Sequence, residues 1–343
     1  MDVLIKHLFT ITPVEWIQML VMWGIGGLLI FLAIKKDMEP ALLLPLGFGA
    51  ILVNLPFSGA IDQLLENGMM QEGPISALFR AGIDNELFPL LLFIGIGAMI
   101  DFGPLLSNPK LFLFGAAAQF GIFFTFSLAC LVAPMLGFNI QDAASVAIIG
   151  AADGPTSIFV ASYFGSQYMG AIMVAAYSYM ALVPIVQPAA IKLVTTKKER
   201  SIKMEYVQKS VSKPVRIIFP IAVTVIAGLV APKSVALVGF LMFGNLIREC
   251  GVLNSLSESA QKELSNIITI LLGITVAAKM KAEFFVTLPT LMILLLGLFA
   301  FVFDTVGGVL FAKLINLFSK KKINPMIGAA GISAFPMLSL IHI

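Results

Sequence analysis

The chain consists largely of apolar runs, one after another, each close to the length of a lipid bilayer. A helix needs about 20 apolar residues to cross the hydrocarbon core. Segments 14–34, 41–57, 87–106, 111–134, 169–194, 214–231, 234–250, 263–281 and 286–318 meet or approach that length. In hydrocarbon every backbone N–H and C=O needs a partner within the protein, which leaves helices as the natural element for such runs. Composition agrees: 59% of residues are hydrophobic and 12% charged, against about 45–50% and about 25% in soluble domains. The chain reads as an all-α, multi-pass membrane protein with about nine spans. A net charge of +3 offers nothing for a nucleic-acid partner. Cys130 and Cys250 lie far apart in apolar segments and fit neither a disulfide framework nor a zinc site; they read as buried, inert thiols. The two histidines, His7 and His342, sit near opposite ends, which excludes a histidine-based metal centre. No short apolar region with a small-residue cleavage site opens the chain, so no cleavable leader is expected.

Lysine and arginine orient the spans. Segment 195–216 carries Lys197, Lys198, Arg200, Lys203, Lys209, Lys213 and Arg216 and is expected to be cytoplasmic, as are Lys35–Lys36 and Lys320–Lys322. Segment 58–86 holds Arg80 among five acids and reads as an outer loop. With the N-terminus outside, 41–57 runs outward, 87–106 returns and 111–134 exits. Segment 169–194 must end inside and therefore begins outside. The apolar stretch 143–166, interrupted by Gly154 and Pro155, then starts and ends on the same outer side. It reads as a re-entrant hairpin with Asp153-Gly154-Pro155 at its tip. Non-helical backbone at that depth is tolerated only against protein or a water-filled cavity.

An internal repeat runs through the chain. "EPALLLPLGFGAILVN" (39–54) is similar to "KSVALVGFLMFGNLIREC" (233–250), "LLLFIGIGAM" (90–99) to "ITILLGITVA" (268–277), and "IGAADG" (149–154) to "IGAAGI" (327–332). The last two share an offset of 178 residues, 95 to 273 and 149 to 327. Parity gives the two copies opposite directions, so the reading is an inverted repeat. Residues 1–194 form the first unit with hairpin 143–166. Residues 195–213 form a cytoplasmic basic linker. Residues 214–337 form the second unit, whose interrupted stretch 324–337 enters from the cytoplasm. Transporters built this way hold substrate and ions near the midplane, where broken helices of both halves meet.

Asp153 is the acid at that place. Aspartate at a helix centre in a bilayer costs roughly 2.5–3.5 kcal/mol on insertion scales and marks a functional site by default; capping of the following helix is compatible with that role. Near it the sequence places Thr156, Ser157, Asn324 and Ser333, with carbonyls freed at Gly154, Pro155 and Gly328. Hard cations take oxygen ligands, and one carboxylate among neutral oxygens suits a monovalent ion, sodium or a proton. Tyr179, in the apolar run "AYSYMALVP", reads either as functional or as an interfacial anchor. Asp101 reads as a helix cap. Asp304 is deeper, and either role suits it. Lys279 and Lys281 are expected to snorkel to the outer interface, and Arg248 to pair with Glu249. Hydropathy and repeat alone fit a secondary ion-coupled transporter, a cation/proton antiporter or carboxylate symporter, as well as any other ion pump. A nonfunctional scaffold sits badly with the buried Asp153.

Longer motifs separate these readings. "GAADGPTSIF", "DFGPLLSNPKLFLFGAAAQFGIF", "AAYSYMALVPIVQP", "FGNLIRECGV" and "NPMIGAAGISAFPM" together resemble the β subunit of the sodium-pumping biotin-dependent decarboxylases, which serve oxaloacetate, methylmalonyl-CoA, glutaconyl-CoA and malonate. The resemblance covers nearly the whole chain. It implies a translocase that decarboxylates carboxybiotin, consumes a proton and exports Na+, active within a multi-subunit complex in the plasma (inner) membrane. The implied partners are a carboxyltransferase subunit, a biotin carrier protein, a small membrane subunit and further copies of the β subunit. It implies Asp153 as a sodium ligand and Tyr179 in ion and proton handling. It also implies Thr156, and Asn324, Gly328 and Ser333 of the second hairpin, as further sodium ligands. The ending departs from the family, which continues past the second hairpin with an arginine, a Gly-Pro-Asn-Val motif and a last helical region. The first repeat likewise has a full span after its hairpin and the second does not. The expectation is therefore a chain truncated after about Met337, with 338–343, "LSLIHI", as a non-native tail.

Overall fold

The computed structural model describes residues 11–37, 40–64, 68–109, 112–151, 153–204, 211–319 and 322–331. The main helices are α1 (Pro13–Lys36), α2 (Pro40–Val53), α3 (Pro74–Gly82), α4 (Leu87–Met99), α5 (Phe112–Ala118), α6 (Phe120–Leu136), α7 (Ile140–Ala147), α8 (Gly154–Tyr163), α9 (Met169–Val194), α10 (Lys213–Val230), α11 (Val235–Cys250), α12 (Ser265–Val276) and α13 (Leu288–Phe318). The protein is an all-α membrane protein, apart from a small β ladder pairing Gln63 with Gln71 and Leu64 with Met70. Among the described residues four helices are long and apolar enough to cross a membrane: α1, α5 continued into α6, α10 and α13. A fifth results if α3 and α4, bent by 62° at their junction, are taken as one span. α2 and α12 are equally apolar but shorter, at 14 and 12 residues.

Local sequence explains the ends of these helices. α1 begins in a capping box of Thr12 and Glu15 with Pro13 in its first turn, and Lys35 and Lys36 meet the negative end of its dipole. Asp37 closes it in the left-handed region, at φ 52°. Asp101 accepts from the Gly103 N–H at 2.8 Å, while the N-cap of the short helix Gly103–Ser107 is Phe102. Arg248 pairs with Glu249, also as expected, at 3.7 Å, while Arg216 approaches the same carboxylate at 3.5 Å. Lys279 lies over the Phe79 ring, 4.6 Å from its centroid, and Lys281 pairs with Glu283. Both cysteines are unpaired and half-buried rather than buried; Cys250, the last residue of α11, donates to the Ile247 carbonyl.

Two segments differ from a plain alternation of spans and loops. Within 58–86 the chain forms α3, whose Ile75 and Phe79, one helical turn apart, are each 4% exposed. Pro74 starts it; at nine residues it is too short to register as a span. The run 111–134 is interrupted at Gln119, between α5 and α6. Just after the break the Ile122 N–H goes to the carboxylate of Asp304, at 2.9 Å. A side chain taking over a donor from the helical ladder is a recognised cause of such breaks.

The body is held by close helix pairs, α4 on α11 and α2 on α12. A Cβ placed on Gly97 would lie 1.8 Å from the Leu241 carbonyl oxygen, and one on Gly244 2.0 Å from that of Ile94. On the other pair, a Cβ on Gly273 would lie 3.1 Å from the Leu42 oxygen and one on Gly49 3.1 Å from that of Ile274. Small residues at such crossings let backbones approach where lipid gives no hydrophobic drive to association. Each pair also carries a buried asparagine. Asn245 donates to the Ile100 carbonyl at 2.9 Å, closing the end of α4. Asn54 donates to Ala50 and Met280 carbonyls at 2.8 Å and accepts from the Ala282 N–H at 2.7 Å.

Candidate ion site between two turns on one helix

Residues 139–166 build the first half of the site. Asn139 and Asp142 form a capping box that starts α7. The chain then tightens into a 3₁₀ turn over Ile148–Ala151 and restarts as α8. Gly154 and Pro155 open α8 because neither suits a helix interior, while proline in the first turn loses no needed hydrogen bond. The Ser166 hydroxyl donates to Asp142 at 2.6 Å, Tyr168 donates to the Leu136 carbonyl at 3.3 Å, and the Phe138 and Tyr168 rings meet at 5.0 Å. These contacts bring the two ends of the segment together.

Asp153 stands at the N-cap position of α8 with extended backbone and is half-buried. Its carboxylate accepts from the Thr156 hydroxyl, and its carbonyl from the Ser157 hydroxyl at 2.9 Å. Among the described residues no lysine or arginine pairs with it. Tyr177 of α9 covers the turn: a Cβ on Gly154 would lie 2.3 Å from its ring. This tyrosine is 1% exposed, and its hydroxyl has no hydrogen-bond partner among the described residues. A buried hydroxyl without a partner, on the ring that packs against Gly154, is a costly arrangement for the protein alone. Tyr177 was not singled out from the sequence. Tyr179 is seated differently: its hydroxyl donates to the Leu294 carbonyl of α13, and its ring lies with Ile149 against Gly297.

The second half of the site lies at 322–331. Asn324 is fully engaged: its amide donates to the Arg200 and Ile202 carbonyls at 2.8 and 3.1 Å, and its oxygen accepts from the Met326 N–H at 3.0 Å. It thus ties the turn Pro325–Gly331 to the basic linker. Lys313 reinforces that end, reaching the Val194 carbonyl at 2.8 Å and Glu199 at 3.0 Å. Hydrogen bonds within the Thr196 cap, with help from Lys313, hold the Glu199 carboxyl below its usual range. Gly328 lies on Gly308 of α13, where a Cβ would fall 1.9 Å from the Gly308 oxygen. Gln187 of α9, buried and not noted in the sequence, donates to the Ala329 carbonyl at 3.1 Å, and its own oxygen has no partner. Ser333 and Met337 lie outside the described residues, as do His7 and His342.

Both turns rest on α13. The 148–151 turn meets it at Gly297, Ala300 and Asp304, the 325–331 turn at Gly308. Asp304 and Gly308 are one helical turn apart, about 6 Å along the axis. The structure brings Asp153 and Thr156 together; Asn324 and Gly328 belong to the second turn, and among the described residues no hydrogen bond links the two groups. No group of three or more His, Cys, Asp or Glu side chains that could hold a metal ion occurs among the described residues. The donor set at Asp153 is one carboxylate with hydroxyl oxygens.

Residues 18–342 match the family model described as the Na+-transporting oxaloacetate decarboxylase beta subunit. The methylmalonyl-CoA decarboxylase subunit beta of Veillonella parvula is 49% identical over 313 residues, covering 91% of this chain and 80% of that protein. The glutaconyl-CoA decarboxylase subunit beta of Acidaminococcus fermentans is 48% identical, covering 92% and 81%. The oxaloacetate decarboxylase beta chain of Klebsiella pneumoniae is 42% identical, covering 92% and 84%.

Proposed function

Since the chain belongs to the family of Na+-transporting oxaloacetate decarboxylase beta subunits, and so is a membrane subunit of a decarboxylase sodium pump, we propose that it decarboxylates carboxybiotin brought by a carrier protein and couples this to Na+ export. Asp153 is the seat of the sodium ion. Carboxybiotin is the substrate of the partner-borne reaction, and sodium is the cargo. The complex works in the plasma (inner) membrane with a carboxyltransferase, a biotin carrier, a small membrane subunit and further copies of this chain, and the subunit acts as a translocase only within it.

One observation carries this reading: Asp153 lies half-buried at the break before α8 with a hydroxyl as partner and, among the described residues, no basic group to neutralise it. A charge so placed is stable only when paired or coordinated. Thr156 and Ser157 orient the carboxylate and the carbonyl of Asp153, Gly154 gives room for close approach, and Tyr177 closes the turn. Tyr179 fixes the turn through Ile149 and ties α9 to α13. The second turn contributes Gly328 and, through Asn324, a link to the cytoplasmic linker, with Ser333 following. Decarboxylation of carboxybiotin asks little covalent chemistry of the protein. It asks for a pocket that removes water from the carboxylate and for a proton delivered to the biotin nitrogen as CO2 leaves.

The layout proposed is two inverted repeats, 1–194 and 214–337, with about nine spans. The first turn enters from outside and the second from the cytoplasm. The cross-pairing of α2 with α12 and of α4 with α11 supports it, because the repeat relates α2 to α11 and α4 to α12. The junction of Asp142 with Ser166 supports re-entry of the first segment. The test is CO2 release from carboxylated carrier added to the assembled complex. Release that requires this subunit and rises with Na+ is expected. Release at the same rate from carrier and carboxyltransferase without it contradicts the proposal.

A further inference from the structure

A second buried acid is left unused by this reading. Asp304 sits in the middle of α13 and is 1% exposed. One of its oxygens is committed: Oδ1 accepts from the Ile122 N–H at 2.9 Å and holds the break between α5 and α6. The other, Oδ2, has no hydrogen-bond partner among the described residues. That free oxygen is aimed at the 148–151 turn, where a Cβ on Gly150 would lie 2.8 Å from it. Ala300 of α13 also lies against that glycine position, 2.9 Å from the same Cβ. Gly150 lies three positions before Asp153 in the chain.

A buried carboxylate oxygen with neither a donor nor a counter-charge is among the least stable arrangements a protein interior offers. Titratable and charged groups on the elements packed against α13 do not relieve it. Asp142 of α7 is bonded through both oxygens, to Asn139 and Ser166. Tyr179 of α9 donates to Leu294, and Lys313 on α13 itself is held by Val194 and Glu199. Lys192 and Tyr177 of α9, Cys130 of α6 and Asp153 form no hydrogen bond or ion pair with Asp304 among the described residues. α5 and the 325–331 turn contain no titratable side chain. Sodium would need several oxygens around it, whereas among the described residues Oδ2 has no hydrogen-bond partner and abuts Gly150, which brings no side chain to it. A proton needs only the oxygen itself.

We infer that Asp304 is a proton-binding site, separate from the sodium site proposed at Asp153, and that its protonation governs how the 148–151 turn seats on the break between α5 and α6. With Oδ2 protonated, an O–H bond forms at that oxygen and the turn rests against a neutral group. With the proton released to water, the same turn faces a bare charge and is driven from it. The site itself stands on the geometry of Asp304. Only its use in timing the movement of the tip rests on the proposed pump.

The test is infrared spectroscopy of the assembled complex in lipid nanodiscs across a pH titration, with Asp153→Asn and Asp304→Asn. A protonated-carboxyl band that persists in Asp153→Asn and is lost in Asp304→Asn is expected. If Asp304→Asn does not assemble, Asp304→Glu must shift the band. Absence of any such band in Asp153→Asn at every pH overturns the inference. Loss of the band on adding Na+ at fixed pH makes this a sodium site and overturns the proton assignment. As a functional arm, CO2 release at saturating Na+ is followed against pH. Asp304→Asn should lose a limb of the wild-type profile, and an unchanged profile overturns the coupling to the turn. The spectra do not depend on pumping, so a complex that fails to move sodium would leave them readable.

Discussion

Gly154→Ala tests the packing at the tip directly. The added Cβ would lie 2.3 Å from Cε1 of Tyr177, where ordinary contact begins at 3.4 Å, so the two must part by the difference of those distances, close to an ångström. The ring cannot yield freely, because Tyr177 is 1% exposed in a packed helix. Overpacking of this kind costs about 1–3 kcal/mol, and it falls on the residue next to the proposed sodium ligand. If that cost is borne by the ion-bound geometry, half-activation by Na+ moves to concentrations roughly 5- to 150-fold higher. The assay is CO2 release from carboxybiotin by the assembled complex as a function of Na+. Tyr177→Leu removes the ring edge, so the double variant should recover most of the loss, a coupling readable in a double-mutant cycle. A Gly154→Ala complex with the wild-type Na+ curve, or a double variant whose losses simply add, would refute the reasoning.

Asn54→Ala removes three hydrogen bonds and leaves the buried Ala282 N–H and Met280 carbonyl without the partners that join α2 to the segment after α12. Each stranded group costs about 1–3 kcal/mol, so the thermal midpoint of the purified protein should fall clearly below wild type, and an equal midpoint would count against the network. Arg80, beside Asp62, holds that carboxyl below its usual 3.8, so its contribution is present above that value and lost as pH falls through the lower folded value. Asp62→Asn mimics the acid form. The Gly73 amide, bonded to Asp62 at 3.0 Å, should exchange faster than wild type at neutral pH, and the two should converge in strong acid. Equal exchange at neutral pH would show that the bond contributes nothing.

The broken tip was legible because its signals are local: a lone acid beside glycine and proline inside an apolar run needs no partner to be noticed. The pairing of Arg248 with Glu249 was legible for the same reason. What depends on which way a helix faces was not. Tyr177 and Tyr179 stand two residues apart in one apolar helix, about 200° around its axis. Only tertiary packing decides that the first covers Gly154 while the second bonds to Leu294. Asp304 was visible as an acid in a span, but its partner Ile122 lies 182 residues away and carries no signal in its own side chain. Gln187 sat between two prolines in plain view, and its contact with Ala329 again spans the chain. The helix α3 was passed over because its apolar positions are few and its length falls short of a span.

The central claim is that Asp153 holds the transported sodium. The most direct measurement is ²²Na+ uptake into proteoliposomes carrying the complete complex, started by the acyl substrate, for wild type and Asp153→Asn. The wild type should accumulate sodium in step with CO2 release. Asp153→Asn, assembled normally, should accumulate none and release CO2 without response to Na+. Uptake by Asp153→Asn with the wild-type dependence on Na+ would contradict the account.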